Sequence, residues 1–155
     1  MRLPSLLFVC LGNICRSPLA EAAFRDAAAS AGLEAVADSA GTGNWHAGHA
    51  PDPRSQAVAL RHGIDISGYA ARQVRAADFR DFDHILALDP ANLRDLRAIM
   101  PAGASARLSL LMDHVPGCEG QGVRDPYYGE ARDFDIVWDE VRMAAAALVK
   151  GLRGF

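Results

Sequence analysis

Ser5-Leu6-Leu7-Phe8-Val9-Cys10-Leu11-Gly12-Asn13-Ile14-Cys15-Arg16-Ser17-Pro18 is the stretch from which the rest of the chain can be read. Leu6 to Val9 is a continuous apolar run bounded by a Gly-containing loop, the pattern of a strand buried on both faces of a parallel sheet. Ser17 followed by Pro18 predicts a helix start at once, with Ser17 as the cap, Pro18 in the first helical position and Glu21 in the first turn. Gly32 then ends the Ala-rich segment that follows. A strand running directly into a loop and a helix is half of a βαβ unit, and in such sheets ligands sit beyond the carboxyl ends of the strands.

Working outward, a weak strand is expected around Glu34 to Asp38. A turn-rich loop from Ser39 to Pro53 follows, long enough to be a site wall. Asp52-Pro53 repeats the cap-plus-proline signal for a helix ending near Gly63, and Asp89-Pro90 repeats it for one running to about Met100. Asp83 to Leu88 and Arg107 to Met112 read as third and fourth strands. Asp133 is expected to cap a long helix in which Phe134, Val137, Trp138, Val141, Ala145, Leu148 and Leu152 recur at helical spacing. Strand and helix alternate throughout, so the expected fold is α/β: a single open, mostly parallel four-stranded sheet with helices on both faces. Nothing splits the chain, and residues 1–155 are expected to form one domain.

The chain is 155 residues long, 50% apolar and 23% charged, which is ordinary globular usage. A net charge of -3 argues against a nucleic-acid partner. Three cysteines are too few for a secreted disulfide framework, and the apolar stretch near Met1 is too short for a leader or a membrane span. These features predict a cytoplasmic protein that does not associate with membranes.

The loop from Cys10 to Ser17 suits an oxyanion. A segment curling back onto a helix N-terminus points the N–H groups of Leu11, Gly12, Asn13, Ile14 and Cys15 inward, and Gly12 and Asn13 best tolerate the positive φ this needs. A thiol in such a cradle drops from about 8.5 to somewhere in roughly 3.5 to 7.5, so Cys10 is a candidate nucleophile. Arg16 offers a planar fork for two oxygens of the bound group. Ser17, besides capping, is placed to hydrogen-bond the thiolate. A proton donor is still required, and Asp125 in Val123-Arg124-Asp125-Pro126-Tyr127-Tyr128-Gly129 is the best candidate. An isolated Cys is more often a buried structural thiol, and an Asp before Pro more often a turn former; their joint presence reverses both readings. Trp138 is assigned to the core and Cys118 to a surface loop. Arg72-Gln73-Val74-Arg75 is read as solvated surface. His46, His49, His62, His84 and His114 have no metal-ligand spacing, so no metal is expected.

C-x5-R-S followed by Pro, with Asp-Pro-Tyr-Tyr-Gly far downstream, resembles the low-molecular-weight protein tyrosine phosphatase family. The resemblance extends to Asp38-Ser39-Ala40-Gly41 with Trp45, Pro51-Asp52-Pro53-Arg54, His62-Gly63-Ile64, Ala71-Arg72-Gln73 and Asn92 to Leu96. It implies Cys10 as nucleophile, Arg16 as phosphate ligand and Asp125 as general acid, with Leu11, Gly12, Asn13, Ile14 and Cys15 as backbone phosphate donors. It further implies Asn13, Ser17 and Ser39 as loop supports and Trp45, Tyr127 and Tyr128 as walls for the substrate ring. No metal and no cofactor are implied. The partners implied are tyrosine-phosphorylated proteins, with a tyrosine kinase as a further candidate, and the protein is expected to be a monomer or at most a weak dimer. The resemblance also supports a protective disulfide between Cys10 and Cys15. Tyr69 stands where many members carry a histidine that buttresses the loop.

Three other readings share these motifs. A protein-arginine phosphatase of the same fold calls for Thr where Ile14 stands. A thiol-linked arsenate reductase needs a cysteine relay that residues 80 to 100 lack. A phosphopeptide-binding module without turnover would not need to keep both Cys10 and Asp125. A nucleotide P-loop is excluded by the absence of G-x4-G-K-S/T.

Overall fold

The computed structural model describes residues 2–153. Its strands β1 (Ser5–Cys10), β2 (Val36–Gly41), β3 (His84–Ala87) and β4 (Arg107–Leu110) form one open sheet in the order β2-β1-β3-β4. Every pairing is parallel. The chain leaves β1 toward β2 on one side and returns on the other side as β3. The crevice where strand order reverses therefore opens at Cys10.

All six residues of β1 are buried, as a central strand between two helical layers requires. Side chains alternate along it. Leu6, Phe8 and Cys10 face the layer built from α1 (Arg16–Ser30), α2 (Pro53–Arg61) and α5 (Ala131–Leu152), whose Leu19, Phe24, Val58, Trp138 and Val141 fill that core. Leu7 and Val9 face the opposite layer with Phe79, Leu93 and Leu96 from α3 (Asp78–Asp81) and α4 (Pro90–Ile99). The period of two thus aims Cys10 at the side from which α1 departs.

Several boundaries differ from expectation for physical reasons. Helix α1 begins at Arg16 with Cys15 in the cap position and no side-chain cap, because the Ser17 hydroxyl is engaged by Cys10 and Asn13 instead. Glu21 accordingly lies beyond the first turn and is buried. β2 runs on to Gly41, since its end pairs with Cys10 and also bridges Gln73, which shortens the predicted loop. β4 stops at Leu110 and tightens into a single 3-10 turn, Leu111–His114. The short α3 has no sequence signal of its own.

Helix α5 starts at Ala131, two residues before Asp133. Glu130 occupies the cap position, and the Asp133 carboxylate reaches back to accept its N–H at 2.7 Å. Gly129 permits this, because a Cβ there would lie 2.3 Å from Asp133 Oδ2. The two Asp-Pro starts behave as predicted: Asp52 accepts from the Arg54 N–H, and Asp89 from that of Asn92.

Candidate active site

The loop after β1 is shaped by where its carbonyls go. Those of Cys10, Leu11 and Ile14 accept from the N–H groups of Thr42, Gly43 and Asp52 at 2.9, 3.0 and 2.8 Å, and that of Cys15 accepts from Ser55 Oγ at 3.3 Å. With these carbonyls tied outward, the Asn13 N–H is turned inward, to Cys10 Sγ. Asn13 adopts φ +57°, the sole non-glycine in the left-handed region among the described residues. Gly12 does not share it. Its missing side chain serves contact, since a Cβ would meet the His46 ring at 3.1 Å. Gly41 is tighter: a Cβ there would lie 2.6 Å from the Leu11 carbonyl oxygen, so β2 and the loop pack backbone to backbone.

Cys10 Sγ lies inside this curl. The Asn13 N–H points to it at 3.3 Å and Ser17 Oγ lies 3.1 Å away. Ser17 Oγ accepts from Asn13 Nδ2 at 2.7 Å, and its single proton has two acceptors within reach, the Cys10 sulfur at 3.1 Å and the Ala40 carbonyl at 3.4 Å. Asn13 Oδ1 in turn accepts from the Arg72 N–H at 3.0 Å.

Arg16 is 4% exposed, a buried cation held from behind. Its Nη1 donates to Asp89 Oδ2 at 2.6 Å and to the Val123 carbonyl at 3.2 Å, while Nη2 lies 3.8 Å from Asp125 Oδ2. Burial works against its charge, but the negative groups at Cys10, Asp89 and Asp125 outweigh burial and hold the guanidinium more firmly protonated than usual. Asp125 is half exposed at the cavity mouth, where its Oδ1 accepts from the Tyr127 N–H at 3.1 Å. Burial, reinforced by the negative charge of Asp52, Cys10 and Asp125, pushes the Cys15 thiol up to about 12, so it remains protonated.

These groups line one cavity of about 240 Å³, with Cys10, Leu11, Gly12, Ile14, Cys15 and Arg16 as its floor and Trp45, His46, Asp125, Tyr127 and Tyr128 as its walls. Trp45 is 68% exposed and Tyr128 is 96% exposed, while Tyr127 meets the Tyr128 ring edge-on at 4.9 Å. The structure thus brings together every predicted site residue except Ser39. That hydroxyl donates to Glu21 Oε1 at 2.8 Å, so its support reaches the loop through α1 and not by contact.

Four features escape sequence reasoning. Asp89 was legible only as a helix cap, yet its second oxygen holds Arg16. Arg72 is not solvated surface. Its guanidinium lies between Asp38 and Asp78, and neighbouring Val74 is buried. His46 lines the cavity. The Tyr69 position is half-buried beside Glu21 and Arg25, and burial together with the Glu21 charge raises its phenol pKa. There the cation on Glu21 Oε2 is Arg25, at 2.9 Å. Burial still pushes the Glu21 carboxyl up, against the bonds from Ser39 and Arg25.

Among the described residues, no group of three or more His, Cys, Asp or Glu side chains is arranged to hold a metal ion, and no helix is long and apolar enough to cross a membrane. The cysteines Cys10, Cys15 and Cys118 are all unpaired.

A thiol at a strand end, met by the Asn13 N–H and faced by a buried arginine and a carboxyl, is an arrangement suited to engage an oxyanion. Residues 5–154 match the family described as low molecular weight phosphotyrosine protein phosphatase. The chain belongs to that family, a family of hydrolases. It is 48% identical over 151 residues to the low molecular weight protein-tyrosine-phosphatase YfkJ of Bacillus subtilis, covering 96% of each chain. With the human low molecular weight phosphotyrosine protein phosphatase it shares 42% identity over 151 residues and 94% of each chain. The crystal structure of YfkJ superposes with a TM-score of 0.91 at 41% identity, over 99% of this chain and 96% of that one.

Proposed function

We propose that this chain hydrolyses phosphotyrosine in proteins, and small aryl phosphates, through a cysteinyl-phosphate intermediate. The observation that carries the reading is the convergence of Cys10 Sγ, the Arg16 fork and the Asp125 carboxyl on one cavity walled by aromatic rings. The Cys10 thiolate attacks phosphorus and forms the S–P bond as the P–O bond to the aryl group breaks. Asp125 delivers its proton to the departing phenolate. The inward N–H groups and Arg16 bind the equatorial oxygens and stabilise the charge on them. Asp125, now a carboxylate, takes a proton from the water that attacks phosphorus. The S–P bond breaks, with the Ser17 hydroxyl hydrogen-bonding the leaving thiolate.

Ile14 presents an apolar edge beside the walls formed by Trp45 and Tyr127, which suits a flat phenyl ring better than a guanidinium. We further propose that residues 1–155 act as one domain, a monomer or at most a weak dimer, in the cytoplasm, where the Cys10 thiol on which the mechanism depends stays reduced.

The test is hydrolysis of an aryl phosphate in the presence of chelator by wild type, Cys10→Ser, Arg16→Ala and Asp125→Ala. Loss of activity is expected for the first two, and a fall of about 10² to 10⁴ for the third. Activity that survives Cys10→Ser sinks the mechanism. Phosphotyrosine, phosphoserine and phosphoarginine peptides compared side by side then set the substrate class, and a preference for phosphoarginine overturns the use made of Ile14.

A further inference from the structure

Arg54, the second residue of α2, has no part in the chemistry above, yet it touches both the segment behind the phosphate loop and the segment that carries Asp125. Its Nε and Nη2 each lie 3.0 Å from the Asp52 carboxylate. Asp52 in turn donates its N–H to the Ile14 carbonyl at 2.8 Å, and Ser55, one residue beyond Arg54, donates Oγ to the Cys15 carbonyl. One edge of the guanidinium is therefore fixed to the segment that shapes the phosphate loop. The other edge crosses the chain: Nη2 donates to the Tyr127 carbonyl at 2.9 Å and Nη1 to the Gly129 carbonyl at 3.4 Å. Its flat face lies 4.6 Å from the centre of the Phe134 ring and 5.9 Å from that of Tyr127.

The segment so gripped is the one that carries Asp125. Its own bonds are mostly internal, from the Tyr127 N–H to Asp125 Oδ1 and from the Gly129 N–H to the Pro126 carbonyl. Outside it, Arg124 pairs with Asp133 at 2.7 Å and donates its N–H to Glu140 Oε1 at 3.3 Å, which anchors the segment to α5, while Arg16 reaches it from the phosphate loop only at the Val123 carbonyl and, at 3.8 Å, at Asp125 itself, leaving the tyrosine end of the segment to Arg54. We propose that Arg54 is a positioning residue that registers Asp125 and the tyrosine wall against the phosphate loop, and so governs how well the leaving group is protonated. The proposal rests on the reading of Asp125 as the general acid. A planar guanidinium is suited to the task because it can serve a carboxylate and two carbonyls at fixed angles, whereas an ammonium is a point charge.

The experiment measures kcat/KM on a series of aryl phosphates of rising leaving-group pKa, from p-nitrophenyl to phenyl phosphate, for wild type, Arg54→Ala, Arg54→Lys, Asp125→Asn and the double variant Arg54→Ala/Asp125→Asn. Thermal unfolding is followed for each. A misplaced acid matters most where the phenolate leaves worst. Arg54→Ala is therefore expected to lose about tenfold or more on phenyl phosphate and less than about threefold on p-nitrophenyl phosphate. Arg54→Lys should keep wild-type stability through Asp52 but retain the steepened leaving-group dependence. The double variant should be no more leaving-group-sensitive than Asp125→Asn, because a positioner is idle once the acid is gone. Equal losses on both substrates, or multiplicative effects in the double variant, overturn the proposal while Asp125→Asn remains steep. A flat series for Asp125→Asn overturns instead the acid assignment on which it rests.

Discussion

Asp89→Asn isolates the grip on Arg16. Asparagine keeps an oxygen for the Asn92 N–H and is as good a helix cap as aspartate, so the start of α4 is preserved. What is lost is the negative charge 2.6 Å from Arg16 Nη1, and with its oxygen on the Asn92 N–H the amide turns its N–H2 toward a guanidinium that has only donors. Removing one partner of a fully buried ion pair costs about 3–5 kcal/mol. Arg16 is 4% exposed but Asp89 is 23% exposed, so solvent screens part of this and about 2 kcal/mol is the working figure. If the same loss appears in the transition state, where Arg16 must present a fixed fork to the phosphoryl oxygens, kcat/KM falls about thirtyfold. The assay is aryl phosphate hydrolysis alongside thermal unfolding with and without inorganic phosphate. A bound oxyanion restores a negative partner to Arg16, so phosphate should raise the Tm of the variant by more than that of wild type. A variant within twofold of wild type in kcat/KM, with an unchanged response to phosphate, refutes the reasoning.

Gly41→Ala forces a Cβ to within 2.6 Å of a backbone oxygen of the loop; a destabilisation of about 1–3 kcal/mol, seen in urea unfolding, should accompany a loss of kcat/KM. Because the Cys15 thiol is pushed up to about 12, any disulfide it closes onto peroxide-oxidised Cys10 should form about tenfold faster per pH unit between 7 and 9, followed by mass spectrometry; a pH-independent rate would exclude Cys15 as the attacking thiol. His84 and His114 are held below the usual imidazole range, by burial first, then by Arg107 for His84 and by His84 for His114. Their contribution to stability is therefore complete above about pH 6.5 and is lost as pH falls from there toward their folded values. Urea unfolding at pH 5 to 8 should show that loss, and His84→Gln/His114→Gln should flatten it.

What the sequence reveals and what it hides divide by the reach of the interactions. The loop from Cys10 to Ser17, the Asp-Pro helix starts and the apolar run of β1 are legible because each is a local arrangement whose residue types have few alternative uses. The supports are bonds between residues far apart in the chain: Asp89 to Arg16 across 73 positions, Val123 to Arg16 across 107, Arg72 to Asn13 across 59. Each of those residues also carries an ordinary local explanation that satisfies a reader of the sequence. Asp89 already caps a helix, and nothing in a cap signal says that a carboxylate has a second oxygen to spend. The reading of residues 72 to 75 as surface holds for Gln73 and Arg75 but not for Arg72 and buried Val74, since the segment looks solvated throughout until Asp38 and Asp78 are known to converge on Arg72. At Tyr69 the error would have been to look for a single replacement. The buried Glu21 carboxylate takes its cation from Arg25, four residues along its own helix, and its hydroxyl from Ser39, so the charge and the hydrogen bond come from different elements. Tyr69→Phe should then leave the loop intact and kcat/KM within about threefold of wild type, because the half-buried phenol meets Arg25 but does not itself pair Glu21. Arg25→Met, which strips the cation from that carboxylate, should lower thermal stability more than Tyr69→Phe does. The reverse order of effects would mean that the phenol, and not Arg25, is what stands in for the histidine.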